Sequence, residues 1–463
     1  MIDSTSLSEL ARIEKGLLLG GDASFDSVSI DTRTIDKGDL FVAIRGEAFD
    51  GHDYIDQAER AGCCGIVTEK KLNSSKPNLQ LKDTTQALGV IAGINRLAFK
   101  GVVFGLTGSS GKTTTKNMLA AILNIQAPTC STTGNFNNEI GVPLTLLKLE
   151  PQHQYAVVEM GARKVGDIGY LGKFVKPDIA ILLNAGIAHI DVFGSYENIV
   201  STKGEIYSAL GDKGIAVLNA DDPAAEQWSE QLKNHVVFSF SLNKPQISAL
   251  GEKLNKLENR VWAENIECKA NSSFYVLHFQ DQTQKIRLPI PGIHNVANSL
   301  AAVAAALAAG ISLVVAAQGL SSLQKTPGRL ELIELKDDLS LIDDSYNANP
   351  DSMVAALNVL ALCDGYKTAV LGEMAELGVM SEKLHFELAE YAATTCIDRF
   401  YLIGSHAEAM RRSIGKRAKS FETKKMLVDQ LCAELVSGET ILVKGSRSAA
   451  MNDVVEFMKG EVQ

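Results

Sequence analysis

The segment GLTGSSGKTTTK at 105–116 holds the most chemically loaded spacing in the chain. It follows the apolar run VVF and leads into KNMLAAIL, so strand, glycine-rich loop, Gly-Lys-Thr and helix arrive in the order a phosphate-binding loop needs. Backbone N–H groups of Gly108, Ser109, Ser110, Gly111, Lys112 and Thr113 can wrap phosphate oxygens at a helix N-terminus. The Lys112 ammonium adds a point charge, and the Thr113 hydroxyl can reach a divalent cation. Five residues rather than four separate Gly105 from Gly111, and Leu106 stands where the common pattern has Gly. That spacing argues against ordinary GTPases and kinases.

Further groups fall where a parallel sheet would open on the same edge. Glu159 closes the apolar strand YAVVEMG, and His189 follows the strand in LLNAGIAHIDVFGS. A carboxylate there suits Mg2+, a hard cation, whereas His is an uncommon ligand for it. Read alone, the glutamate could equally be a solvated or capping residue and the histidine a hydrogen-bonded structural one. Lys203, on the helix read in ENIVSTKGEIY, has the pattern of a solvated surface lysine. His294, Asn295 and Asn298 sit on the first turns of a helix in PGIHNVANSLAA, and DDSYNANPDSM is a strand end rich in hydrogen-bonding groups. Paired Asn side chains can read an adenine edge, but capping a helix is their commoner use.

The elements that must position these groups read as α/β throughout. With 463 residues, 46% hydrophobic and 22% charged, the chain has the composition of a folded protein of about three domains. Forty-five Lys and Arg against 55 Asp and Glu give a net charge of -10, so no global basic field collects nucleic acid or anionic membrane. Seven cysteines, scattered at 63, 64, 130, 268, 363, 396 and 432, show neither metal-ligand spacing nor a disulfide framework, which fits a reducing cytoplasm. The acidic N-terminal stretch lacks the apolar core of a secretory signal. Between Arg287 and Lys325 only His294 can carry a charge, yet the Ala-rich content, Gly310 and a capping Ser312 predict two soluble helices and no membrane insertion.

Residues 1–100 form a small α/β unit in this reading, with a strand in GDLFVAIRG, a helix ending at Gly62 and a strand in GIVTE. Residues 101–325 carry a mostly parallel sheet with an antiparallel appendage at about 240–290. Residues 326–463 start another α/β series, with strands in LSLIDD, KTAVLG, RFYLIG and ETILVKG.

Taken in order, TGSSGKTT, GNFNNEIGVP, VVEMGA, AGIAHIDVFGS, STKGEIY, PGIHNVANSLAA, TPGRLE, LIDDSYNANP and LVKGSRSAAM resemble the Mur ligase family over almost the whole chain. The resemblance implies three domains: an N-terminal domain binding a uridine nucleotide, a central P-loop ATPase domain and a Rossmann-like C-terminal domain. SIDTRTIDKGDLFVAIRGEAFDGHDYI, DDSYNANP with GEMAELG, and KGSRSAAM resemble the branch that joins D-alanyl-D-alanine to UDP-N-acetylmuramoyl-tripeptide. Such an enzyme is expected in the cytoplasm, as a monomer, with peptidoglycan precursor synthesis as its task. By resemblance, Gly108 to Thr114, with Ser109, Ser110, Gly111, Lys112 and Thr113, hold ATP, and Thr113 and Glu159 hold Mg2+. His189 and Lys203, the latter as a CO2-derived carbamate, surround a second Mg2+. Asn295 and Asn298 face adenine with His294 beside them, Arg329 reaches the γ-phosphate, and Asp344 lies near the ribose and hinge. Asp31, Thr32, Arg33, Arg45, Gly46 and His52 fall where the uridine nucleotide binds. Ser110 replaces the Asn that many relatives carry before Gly-Lys-Thr, a change a backbone cradle tolerates. A family member that adds one amino acid and a folylpolyglutamate synthetase are the neighbouring enzyme readings, and a P-loop sensor is a non-enzymatic one. Because the ATP groups are divided across TPGRLE, Arg329 is expected to stand away from the P-loop until nucleotide draws the C-terminal domain in.

Overall fold

A computed structural model describes residues 1–46, 49–187, 190–244, 259–336 and 338–462. Its centre is a nine-stranded sheet. Across the sheet run Gln282–Leu288, Ser272–Phe279, Arg260–Lys269, Val236–Ser241, Ile215–Asn219, Ile179–Leu182, Val102–Thr107, Tyr155–Glu159 and Thr129–Ser131. The strands from Thr129–Ser131 to Arg260–Lys269 pair in parallel, and the last two pairings are antiparallel. The polar stretch read as an appendage therefore extends the central sheet.

Period-two alternation explains how this sheet is covered on both faces. Phe104, Leu106, Val157 and Ile181 project into one apolar core with the helices Lys112–Gln126 and Ile293–Ala308. Val103, Val158, Ala180 and Leu182 project into another with Asp167–Val175 and Tyr196–Ser208. The Ala-rich stretch forms two helices, Ile293–Ala308 and Leu313–Ser321. Ser312 caps the second by accepting from the Val315 N–H at 3.3 Å. No described helix is long and apolar enough to cross a membrane.

On the N-terminal side, a five-stranded sheet orders Leu17–Leu19, Asn78–Gln80, Gly65–Thr68, Leu40–Val42 and Val28–Ser29. The expected helix ends at Gly62, whose φ of 94° fits a residue without Cβ. The strand read into GDLFVAIRG is shorter, because the chain turns at Ala43 to Gly46 and closes a bridge between Arg45 and Asp50. Beyond the junction, a six-stranded sheet orders Glu331–Glu334, Ser340–Asp344, Thr440–Lys444, Lys367–Leu371, Arg399–Ile403 and Ala418–Phe421. All four expected strands are present. Glu331–Glu334, an antiparallel edge, and Ala418–Phe421 are additions the sequence pattern did not single out.

Candidate functional site

The parallel register delivers the central groups to one edge. Leu106 pairs with Glu159 and Thr107 with Leu182, so the P-loop, Glu159 and the Leu183–Asn184 segment leave the sheet side by side. Gly111 takes φ 78° at the start of the loop helix, and a Cβ there would stand 2.2 Å from Asn298 Oδ1. Only glycine fits this approach of the loop to the Ile293–Ala308 helix.

The loop is narrower as an anion cradle than the sequence suggests. The Ser109 and Ser110 N–H groups donate to Asn184 Oδ1 at 3.0 and 2.9 Å, which leaves the helix N-terminus after Gly111 as the part turned toward a phosphate. Lys112 folds back over the loop, its Nζ donating to the Gly108 carbonyl at 2.7 Å. Burial pushes its ammonium below the usual lysine range; Glu159 opposes that shift and Arg329 adds to it.

Thr113 is the centre of a charged cluster. Its hydroxyl donates to Glu159 Oε2 at 3.0 Å, and Asn137 Nδ2 donates to Glu159 Oε1 at 2.8 Å. Arg329, from beyond the junction, donates to the same Thr113 hydroxyl at 3.1 Å. Arg329 therefore stands on the P-loop wall, the placement expected for the nucleotide-bound arrangement. The junction is tied as well, since Asn117 on the loop helix donates to Thr326 at 2.9 Å, and the Arg329 guanidinium lies 4.3 Å from the Tyr346 ring centre. Glu159 is 1% exposed, and its N–H donates to Thr132 Oγ1 while Lys116 Nζ holds the Thr132 carbonyl at 2.6 Å.

Lys203 is not the solvated lysine its helix pattern suggests. It is 3% exposed, and burial together with nearby Lys112 pushes its ammonium far below the usual lysine range. No described carboxylate lies within ion-pair distance of it, although Asp167 and Glu205 pull weakly the other way. His189 lies outside the described residues.

On the opposite wall, Asn295 and Asn298 close largely on each other. Asn298 Nδ2 donates to Asn295 Oδ1 at 3.2 Å, and Asn295 Nδ2 donates to the Pro291 carbonyl at 2.7 Å. A reading of an adenine edge by the Asn295–Asn298 pair would have to displace these bonds. Burial lowers the neighbouring His294 to about 4, so its ring is neutral near pH 7. Register pairs Asp344 with Lys444, and their side chains meet at 2.6 Å. Burial raises the Asp344 carboxyl, against the pull of Lys444 and Arg329. These groups line one cavity of about 1060 Å³ that also takes in Asn135 to Ile140, Asn347, Glu376 and Arg447.

The six uridine candidates do not line this cavity; their neighbour Ile30 does. Arg33 chelates the Asp31 carboxylate at 2.6 Å, and its hydrogen bonds hold that carboxyl down at about 2. Thr32 sits between them, and Gly46 donates to the Phe49 carbonyl at 2.8 Å. Arg45 lies 3.7 Å from Asp50 and 3.6 Å from Glu69. His52 is engaged locally. Its ring is buried, with Nδ1 donating to Asp50 at 2.6 Å and Nε2 accepting from the Glu69 N–H at 2.9 Å, so it braces the loop and has no nitrogen free for a ligand.

Sequence reasoning missed Lys116, Asn137, Asn184, Lys444 and Arg447. Asn137 and Lys444 lay inside motifs already singled out, GNFNNEIGVP and LVKGSRSAAM; Asn184 lay in LLNAG, directly after an apolar strand.

Residues 24–94 match the model of the Mur ligase family catalytic domain, 106–306 that of the Mur ligase middle domain, and 328–447 that of the Mur ligase glutamate ligase domain. The chain is 40% identical over 458 residues to UDP-N-acetylmuramoyl-tripeptide--D-alanyl-D-alanine ligase of Escherichia coli K12, covering 98% of each chain. It is 33% identical to the enzyme of the same name from Bacillus subtilis, over 93% of this chain and 92% of that one. Among solved structures, MurF from Acinetobacter baumannii superposes with a TM-score of 0.90 at 34% identity, over 99% of this chain and 100% of that one. The MurF ligase of Thermotoga maritima in complex with ADP gives 0.82 at 30% identity, over 94% and 97%.

Proposed function

The chain belongs to the Mur ligase family, and on that premise we propose that it is the ATP-dependent ligase joining D-alanyl-D-alanine to UDP-N-acetylmuramoyl-tripeptide in peptidoglycan precursor synthesis. One observation carries the reading furthest: Lys112 and Thr113 at the start of the loop helix and Glu159 at the end of its strand meet Arg329 from beyond the junction around one cavity. A transferase of phosphoryl groups to a bulky carboxylate needs that convergence.

A carboxylate oxygen of the tripeptide attacks the γ-phosphorus of ATP, and the bond to the bridging oxygen breaks with its electron pair left on ADP. Lys112 and Arg329 neutralise the charge gathered on the phosphoryl oxygens. The dipeptide nitrogen then attacks the carbonyl carbon of the acyl phosphate, loses a proton and expels phosphate, leaving an amide. Closure of Arg329 onto the P-loop wall keeps out water that would hydrolyse the acyl phosphate.

One Mg2+ ion fits the donors described, and a second belongs to the reading by resemblance. Among the described residues no three His, Cys, Asp or Glu side chains cluster as a ready-made metal site, but Thr113 and Glu159 offer two hard oxygens 3.0 Å apart. Thr113 and Glu159 would hold the first ion, and His189 with carbamylated Lys203 the second. When bound, the ions supply charge neutralisation along the phosphates. A neutral buried amine is the form that CO2 carbamylates, and the depressed Lys203 supports that modification. ATP lies along Gly108 to Thr114, with His294, Asn295, Asn298 and Asp344 on its nucleoside side. The uridine end lies against Asp31, Thr32, Arg33, Arg45 and Gly46. We divide the chain at 100/101 and 325/326, and place a monomer in the cytoplasm.

Phosphate release measured across acceptor and donor pairs tests the reading. UDP-N-acetylmuramoyl-tripeptide with D-alanyl-D-alanine should give ATP turnover that needs both partners. Equal turnover with a single amino acid, or with a folate and glutamate, would overturn it.

A further inference from the structure

We infer that Arg447 is the recognition site for the free C-terminal carboxylate of the incoming dipeptide, an inference that rests on the ligase reading above. That reaction requires an acceptor with an amine at one end and a carboxylate at the other. The amine must reach the acyl phosphate, so the carboxylate needs a cation on the cavity wall away from the P-loop.

Among the described residues, three of the five Lys and Arg side chains lining the cavity are engaged, and Arg163 and Arg447 are not. Lys112 is folded on the loop, Arg329 is on Thr113, and Lys444 is bound to Asp344 and to the Asn347 carbonyl at 2.9 Å. Arg447 is exposed in the same cavity with no described carboxylate in ion-pair reach; its guanidinium carbon lies 5.9 Å from the Tyr346 ring centre. Arg163 also lines the cavity, but on the central-domain side, next to Ala162 at the turn after Glu159.

Distance agrees with this division of labour. Arg329 and Arg447 share the Tyr346 ring at 4.3 and 5.9 Å, which holds the two guanidinium carbons within about 10 Å of each other, while an extended dipeptide spans about 7 Å. A dipeptide whose amine lies by the Arg329 side of the ring can therefore reach the Arg447 side with its carboxylate. The backbone holds Arg447 in place. It opens a short turn, Arg447–Ala449, two residues beyond the strand Thr440–Lys444, and its N–H donates to Asn347 Oδ1 at 3.4 Å. Ser446 and Ser448, whose hydroxyls lie 3.2 Å apart, flank it with further donors. A planar fork beside two hydroxyls suits a carboxylate better than an amide or ester.

The test compares D-alanyl-D-alanine with its C-terminal amide in wild type, Arg447→Ala and Arg447→Lys, reading KM and kcat for each with ATP and UDP-N-acetylmuramoyl-tripeptide saturating. The wild type should prefer the acid by about 10- to 100-fold in KM, the range for one hydrogen-bonded charged partner. Arg447→Ala should raise KM for the acid by a similar factor, leave KM for the amide nearly unchanged, and so erase the preference. Arg447→Lys should retain part of it. An acid-to-amide preference that survives in Arg447→Ala, or a loss expressed only in KM for ATP or the tripeptide, would overturn the inference while leaving the ligase reading intact. A wild type that does not turn over the dipeptide at all would instead defeat the ligase reading. Circular dichroism of Arg447→Ala should match wild type; if the variant is unfolded, the Arg447→Lys acid-to-amide ratio decides, and a ratio equal to that of wild type counts against a bidentate contact.

Discussion

Replacing Lys203 with Met separates what this residue costs the fold from what it gives the chemistry. The side chain is 3% exposed and has no described ion-pair partner, so the folded chain holds either a desolvated ammonium or a neutral amine. Its pKa in the folded state lies well below that in the unfolded state, so the native state binds fewer protons and stability rises with pH. The penalty is full below the folded-state pKa and fades as pH climbs toward the ordinary lysine value of 10.5. At 1.36 kcal/mol for each pH unit, keeping the amine neutral at about pH 7.5 costs up to about 4 kcal/mol. Met fills a similar volume without charge. Lys203→Met should therefore be more stable than wild type in CO2-free buffer without Mg2+, by about 1–4 kcal/mol, which raises the unfolding midpoint by about 2 °C per kcal/mol. That gain should shrink as pH rises toward 10. Ligation should fall by a factor of at least about 100, for want of an anionic ligand. Wild-type activity should in turn drop when bicarbonate is removed and return when it is restored, while the variant ignores both. A Lys203→Met protein that is less stable than wild type at pH 7.5, or that keeps more than about a tenth of the activity, would refute the reasoning.

Lys112→Ala should reduce ligation by about 100-fold or more with the circular dichroism spectrum unchanged, because its ammonium serves the transferring phosphoryl group and caps only its own loop. Asn137→Ala removes the 2.8 Å hydrogen bond that orients Glu159 and should raise the Mg2+ concentration for half-maximal activity by about tenfold, read by metal titration at fixed ATP. In the C-terminal sheet, Arg399 meets Glu439 at 2.7 Å with the glutamate wholly buried, so Arg399→Leu should cost about 3–5 kcal/mol in urea unfolding, with Glu439 left uncompensated.

The parts of the site built from one short segment were legible in the sequence, and the parts built by register were not. GLTGSSGKTTTK announces its strand, turn and helix within a dozen residues, and the structure has them there. By contrast, Thr113 and Arg329 meet across 216 positions and Asp344 and Lys444 across 100, contacts that arise only once sheets are ordered and the junction folded. Lys203 shows the same limit in another form. Its helix has an ordinary polar pattern, and only tertiary packing leaves the side chain 3% exposed. His52, placed by resemblance beside the uridine nucleotide, has both ring nitrogens engaged within its own loop region, which no local pattern announced. The shortened strand after Gly38 has a local cause too, since the Arg45 to Asp50 bridge takes the chain out of the sheet.

Isotope transfer tests the central claim most directly. UDP-N-acetylmuramoyl-tripeptide labelled with 18O in its terminal carboxylate would be incubated with ATP, Mg2+, bicarbonate and D-alanyl-D-alanine, and both the phosphate and the peptide product would be weighed by mass spectrometry. An acyl phosphate requires that each phosphate released carry one 18O atom and that the product gain one dipeptide and keep the other labelled oxygen. Unlabelled phosphate, or labelled phosphate without the dipeptide adduct, would contradict the account.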